Sequence, residues 1–256
     1  MSRLEQRIFE ARKSKDILIM SHAVMGYPSF EVDRKLIDAL VGADVELIEL
    51  QFPFSEPIAD GPTLLKANHQ AVSAGTTVDQ CFAFAGEITS VYPATSFLIM
   101  TYYNILYARG VERFIKEAAK AGVLGVIVPD ITPEQAEEYL AACSAHDVAP
   151  IFLVTPTTPV ERLDYIASKA QGLIYCVARK GITGIKTIFS KAFDEYINRV
   201  RKSAQLPIGV GFGVQLREDV EHLKGRADVA IICSKAIKIC VEEGPEAVGQ
   251  YMSTLR

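Results

Sequence analysis

Eight short apolar runs punctuate the chain: ILIMSHAV (17–24), VELIEL (45–50), SFLIMTYY (96–103), GVIVPD (125–130), PIFLV (150–154), GLIYCVA (172–178), IGVGFG (208–213) and VAIIC (229–233). They are nearly continuous blocks with little clean alternation, the signature of strands covered on both faces, and they predict a parallel sheet. Segments of helical spacing separate them. In GVERFIKEAAKAG (110–122), Val111, Phe114, Ile115, Ala118 and Ala119 form one stripe and Gly122 supplies a stop. TPEQAEEYLAACSAHD (132–147) predicts a helix with Thr132 as N-cap and Pro133 at its first position. The strands follow one another at similar intervals except after the second, where an extra helix is expected around 62–74. Another helix is expected at the N-terminus, in MSRLEQRIFEARKSK (1–15).

Eight strand–helix repeats in 256 residues match the arithmetic of an α/β chain folded as a (β/α)8 TIM barrel. A doubly wound open sheet is the competing architecture. No linker or shift of composition divides the chain, so a single domain over 1–256 is expected. Hydrophobic residues make up 49 % of the sequence, enough to fill such a core.

The formal net charge of −4, with no dense cluster of Lys and Arg, argues against nucleic acid as a partner. No apolar run is long enough to span a bilayer, and a soluble, cytoplasmic protein is expected. The five cysteines show no C-x-x-C spacing and no neighbouring histidine, which predicts reduced thiols packed in the core and no metal site.

In a barrel of this kind the chemistry sits at the C-terminal ends of the strands and in the loops that follow. Glu49 closes the second run and Asp60 lies in the loop after it; Tyr102, Asp130 and Tyr175 fall near the ends of later strands. A carboxylate at the end of a buried strand is costly unless it is paired. Glu49 therefore predicts either a Lys or Arg partner or a group that carries protons near neutral pH. Asp130 reads equally well as a turn or cap residue, and Tyr175 as a core aromatic. The turns KGITG (180–184), GFGV (211–214) and SKA (234–236) converge on one rim and suit a phosphate.

The stretch ELQFPFSEPIADGP (49–62) resembles the signature of tryptophan synthase α subunits, E-L-G-x-P-F-S-D-P-x-A-D-G-P. MGYP (25–28), YYN (102–104), PD (129–130) followed by ITPEQ, APIFLVTPTTP (149–159), ARKGITG (178–184) and GVGFGV (209–214) follow in the order of that family. The resemblance implies retro-aldol cleavage of indole-3-glycerol phosphate to indole and glyceraldehyde 3-phosphate, with no cofactor in this chain. It also implies a pyridoxal-phosphate β subunit that receives the indole in an αββα heterotetramer. By the same resemblance, Glu49 matches the catalytic acid/base and Asp60 the carboxylate that accepts the indole N–H. His22, Met100, Tyr175, Thr183 and Phe212 match substrate-lining positions, and Gly184, Gly213, Ser234 and Lys235 the phosphate rim. Pro53, Phe54, Glu56, Pro57 and Arg179 match the loops that signal to the β subunit.

Several positions depart from the family pattern. Gln51 replaces the glycine of the signature, Glu56 its aspartate, and His22 an aromatic that packs on substrate. Met100 stands where Leu is frequent, and Ser234-Lys235 replaces Gly-Ser. These departures, around two retained acids, raise a second reading: a weakly active or inactive α subunit kept as an allosteric activator of its β partner.

Overall fold

The computed structural model describes residues 1–178, 190–211 and 213–256. Its eight strands are β1 (Leu18–Val24), β2 (Leu47–Gln51), β3 (Ser96–Met100), β4 (Gly125–Ile127), β5 (Ala149–Val154), β6 (Ile174–Val177), β7 (Ile208–Gly211) and β8 (Val229–Ile232). They pair in parallel in sequence order, and β1 pairs with β8 to close the barrel. Every apolar run of the sequence thus supplies one strand, and the open-sheet alternative falls.

Within each buried strand, side chains still alternate between the two faces of the sheet. Leu18 and Met20, Leu47, Leu98 and Met100, Ile127, Ile151, Tyr175 and Ile231 form the cluster inside the barrel. Ile19 and Ala23, Ile48 and Leu50, Ile99, Val126 and Cys176 face outward into the larger cluster shared with the helices. The same two-residue step carries His22 inward above Leu18 and Met20, and Glu49 and Gln51 inward above Leu47. The strand register then sets His22 opposite Glu49 and Val24 opposite Gln51.

Both additional helices are present. Helix α1 (Arg3–Arg12) is capped by Ser2, whose side chain accepts from the Glu5 N–H, and it inserts Leu4 and Ile8 into the inner cluster as a plug at the N-terminal end of the barrel. After α2 (Phe30–Gly42), the long interval between β2 and β3 holds α3 (Pro62–Ser73) and α4 (Val78–Val91). Pro62 opens α3, where a missing N–H costs nothing, and a capping box between Thr77 and Gln80 opens α4.

Two local expectations change. The third strand ends at Met100, and Tyr102 is instead the N-cap of α5 (Tyr103–Arg109). Gly110, at φ +87°, turns the chain from α5 into α6 (Val111–Lys120), which buries the Val111, Phe114, Ile115 and Ala118 stripe. Thr132 makes no side-chain cap bond: the chain after it tightens into a 3-10 turn over Pro133–Gln135, and the α-helix α7 (Glu137–His146) begins only after Ala136. Ala136 itself, at φ −95° and ψ 12°, lies off the helical conformation, so the turn and the helix cannot fuse.

Because Leu4 is fully buried in the plug, Leu4→Ala is expected to lower the unfolding free energy by about 2–5 kcal/mol, the usual cost of a Leu-sized core cavity. Leu4→Met, which keeps the volume, is expected to cost under about 1.5 kcal/mol. Urea unfolding of the three proteins checks both values.

Candidate active site

The inward residues at the C-terminal end of the barrel line a pocket that opens to solvent. Met100, Ile127, Leu153, Leu64 and Tyr175 give it apolar walls, and Glu49, Asp60, His22 and Cys233 give it polar atoms. Four strands therefore contribute to one pocket the residues that the sequence singled out at 22, 49, 100 and 175, and the loop after β2 delivers Asp60.

Among the described residues Glu49 has neither a Lys nor an Arg partner. Its Oε1 lies 2.9 Å from Nδ1 of His22, both side chains being almost wholly buried. Its Oε2 is buried with no hydrogen-bond partner among the described residues. A desolvated carboxylate oxygen left unpaired is unfavourable in a resting protein, so one beside a cavity is suited to a ligand that supplies or takes a proton.

Asp60 is the opposite case. Its Oδ2 accepts from Gln51 Nε2 at 2.6 Å, Tyr102 Oη at 3.2 Å and Asn68 Nδ2 at 3.3 Å. Three donors on one oxygen call for an ionised carboxylate. Burial nevertheless dominates and raises the pKa of Asp60 above its ordinary value, against the bonds from Gln51 and Tyr102 and the nearby His22. On His22 burial, again the largest influence, opposes a charge. Glu49 and Cys233 together outweigh it and hold the imidazole well above its ordinary value.

The loop between the two acids is pinned from below. Asn68, fully buried on the inner face of α3, accepts from the Phe54 N–H at 2.9 Å and donates to Leu64 O at 2.8 Å. The Ala59 N–H donates to Tyr102 Oη, and the Phe54 ring stacks on Tyr102 with centroids 5.2 Å apart. The Pro57 ring turns inward, whereas Glu56 and Ile58 point outward, Ile58 being 73 % exposed. Asn68 was not among the residues singled out from the sequence. Its only signal there is a polar residue on the helix face of Leu64, Ala67 and Ala71.

Tyr175, read from the strand pattern as a core aromatic and from the resemblance as a substrate-lining residue, belongs to the inner cluster and lines the cavity. A Cβ on Gly211 of the neighbouring strand would come within 2.6 Å of its Oη, so only glycine leaves room for the ring. At the rim, Gly213 adopts φ +95°, and α11 (Ser234–Glu243) begins with Ser234, whose Oγ is buried without a partner among the described residues. Lys235 follows in the first helical turn, half-buried. A helix N-terminus, a left-handed glycine and an unpaired hydroxyl face the same end of the barrel. Arg179, Thr183, Gly184 and Phe212 lie outside the described residues.

Cys233, spaced in the sequence far from any histidine, closes the group: its sulfur, a His22 nitrogen and a Glu49 oxygen lie within 4.8 Å of one another. The residue as a whole is half-buried, unlike the four core cysteines. Both His22 nitrogens are engaged by neighbours, Nδ1 by Glu49 and Nε2 by Gln51 Oε1 at 2.8 Å. Burial also pushes the Cys233 thiol up, away from the thiolate a metal prefers. As it stands the cluster is a hydrogen-bonded set.

A sequence model described as tryptophan synthase alpha chain matches residues 9–254. The chain belongs to the tryptophan synthase α-chain family. It is 48 % identical to the tryptophan synthase alpha chain of Syntrophotalea carbinolica, over 99 % of this chain and all of that one. It is 46 % identical to that of Desulfotalea psychrophila, over 99 % of each. Among solved structures, Mycobacterium tuberculosis tryptophan synthase superposes with a TM-score of 0.92 at 31 % identity, over 99 % of this chain and 96 % of that one. A chain of the Pyrococcus furiosus tryptophan synthase complex does so at 0.82 and 29 %, over 93 % and 97 %. Among the described residues no helix is long and apolar enough to cross a membrane.

Two outcomes test this geometry. Asn68→Ala, which leaves the Phe54 N–H and Leu64 carbonyl unpaired, is expected to cost about 1–3 kcal/mol in urea unfolding. It should also speed amide exchange at Phe54 while sparing the strand amides. For Asp60, the folded-state pKa lies above the unfolded one, so ionisation disfavours the native state. Wild type and Asp60→Asn should match in stability below the ordinary carboxylate pKa, and the variant should become the more stable as pH rises through it. Thermal melts of both proteins across that range check the sign.

Proposed function

We propose that this chain cleaves indole-3-glycerol phosphate to indole and glyceraldehyde 3-phosphate. The reading is supported above all by the pairing, across one apolar cavity, of a carboxylate with an oxygen unpartnered among the described residues and a second carboxylate bonded by three donors. The retro-aldol reaction asks for both. Carbon 3 of the indole must gain a proton and the glycerol hydroxyl next to the breaking bond must lose one, a transfer that Glu49 Oε2 can perform in both directions. Positive charge develops on the ring nitrogen as carbon 3 is protonated, and Asp60 is the acceptor for that N–H. The flat indole lies among Met100, Ile127, Leu153 and Tyr175.

The substrate phosphate fits the turn at Gly213 and the start of α11, with Ser234 Oγ as a donor and Lys235 as a nearby cation. The reaction requires no cofactor in this chain, because proton transfer and charge stabilisation suffice. The product indole passes to a β subunit, itself a pyridoxal-phosphate enzyme, in a cytoplasmic αββα assembly. The outward Glu56 and Ile58, on the same loop as Asp60, are the contacts through which that partner senses the site, with Pro53, Phe54 and Pro57 fixing the loop.

Indole release from indole-3-glycerol phosphate, followed with and without a saturating β subunit, tests the assignment. Glu49→Gln is expected to lower turnover by at least about 10²–10⁴, the usual contribution of a general acid/base. A wild-type chain that releases no indole, yet speeds the β subunit's conversion of indole and serine, would replace this reading with that of an allosteric activator.

A further inference from the structure

His22 and Gln51 both depart from the family signature, and they touch each other. The chain Glu49 Oε1, His22 Nδ1, His22 Nε2, Gln51 Oε1, Gln51 Nε2, Asp60 Oδ2 is unbroken, with separations of 2.9, 2.8 and 2.6 Å between successive residues. Its polarity follows from which atoms can donate. An ionised Asp60 can only accept, so the Gln51 amide must turn its NH2 towards Asp60 and its carbonyl towards His22. That carbonyl can only accept, so Nε2 of His22 carries a proton. Nδ1 faces the Glu49 carboxylate, a second acceptor.

We propose that His22 is held as an imidazolium between Glu49 and Gln51, tying down Oε1 of Glu49 so that Oε2 alone exchanges protons with substrate, while Gln51 joins this cation to Asp60. The inference rests on the cleavage reaction proposed above. The proton balance is simple: Oε2–H gives its proton to carbon 3, and the carboxylate so formed takes one from the glycerol hydroxyl as the carbon–carbon bond breaks. His22 keeps both of its protons throughout and is a positioning residue, stabilising the carboxylate form from the far side. Two acids in one buried pocket would repel each other; a fixed cation bonded to one and bridged to the other offsets that.

The groups around His22 are consistent with the charge. Glu49 faces it from β2, Asp60 from the following loop, Cys233 from the end of β8 and Tyr175 from β6. No described Lys or Arg lines the cavity, two of the four groups are acids, and burial pushes the other two towards their neutral forms. The imidazole accordingly stays charged above its ordinary range.

The coupling also makes the two departures depend on each other in this chain. His22→Phe alone leaves Gln51 Oε1 and Glu49 Oε1 without their donor. Gln51→Gly alone leaves Nε2–H unpaired and removes a donor from Asp60. Making both changes restores the residues of the family pattern and removes the His22–Gln51 contact with both of its partners, so neither side chain leaves the other unpaired.

Two measurements test this. In nitrogen-15 spectra of the wild-type chain at pH 7, both His22 nitrogens should carry protons, and Glu49→Gln should move His22 towards the neutral ring. A single neutral tautomer in the wild type would overturn the proposal whatever the activity. In the indole-release assay, each single variant should lose at least about tenfold in kcat at pH 7, an unpaired buried group costing about 1–3 kcal/mol. The double variant should fall within about threefold of the better single. Wild-type activity should decline on the alkaline side as His22 loses its second proton, and His22→Phe should lack that limb. Additive losses with an unmoved pH profile would reduce His22 to a packing role and sink the idea. Should the wild type release no indole at all, the cleavage reading fails, and the spectra still decide the state of His22.

Discussion

The site depends on the contact between β1 and β2. Closure of the eight-stranded ladder sets His22 opposite Glu49, and the inward step of both strands places the two side chains 2.9 Å apart in a region that water hardly reaches. A slip by one residue would turn Glu49 outward among the helices and bring Ile48 or Leu50 into the cavity. The apolar residues on both faces of these strands penalise any such slip, so the packing that stabilises the barrel also fixes the acid.

The stable part and the reactive part are separated along the barrel axis. The N-terminal end is sealed by Leu4 and Ile8, and the middle is filled by Leu18, Met20, Leu47, Leu98 and Ile231. Polar side chains enter the interior mainly at the opposite end, where their hydrogen bonds form one connected network around Asp60. Asn68 and Tyr102 belong equally to the site and to the loop at 53–60: the same atoms that hold Asp60 also bond the backbone of Phe54 and Ala59. Any movement of the exposed tip of that loop must therefore reach the carboxylate, the physical requirement for communication with a partner.

Individual residues differ in how far the sequence exposes them. Glu49 stood out because a charged residue ends an apolar run, and Asp60 because the motif names it. Tyr175 read from the strand pattern as a core aromatic and only from the resemblance as a substrate-lining residue, since its place in the cavity depends on the space left by Gly211 on the neighbouring strand. Asn68 and Cys233 were hidden. One is a polar residue on an otherwise apolar helix face, the other a cysteine remote in sequence from its neighbours. The end of the third strand and the start of α7 also differed from expectation, because strand ends and first helical turns are decided by local hydrogen bonds that periodicity does not report.

The sequence by itself determined the strand count, the parallel barrel, the two additional helices, the family and the two acids, because these follow from hydrophobic periodicity and from a contiguous motif. Only the tertiary structure decided what the departures from that motif mean. Gln51 read as a lost glycine beside Glu49, and His22 as a lost aromatic, two separate irregularities far apart in the chain. Folding places them in hydrogen-bond contact on adjacent strands, with an acid at either end. Their chemistry belongs to the pair, and a pair formed across a sheet is invisible until the register is known.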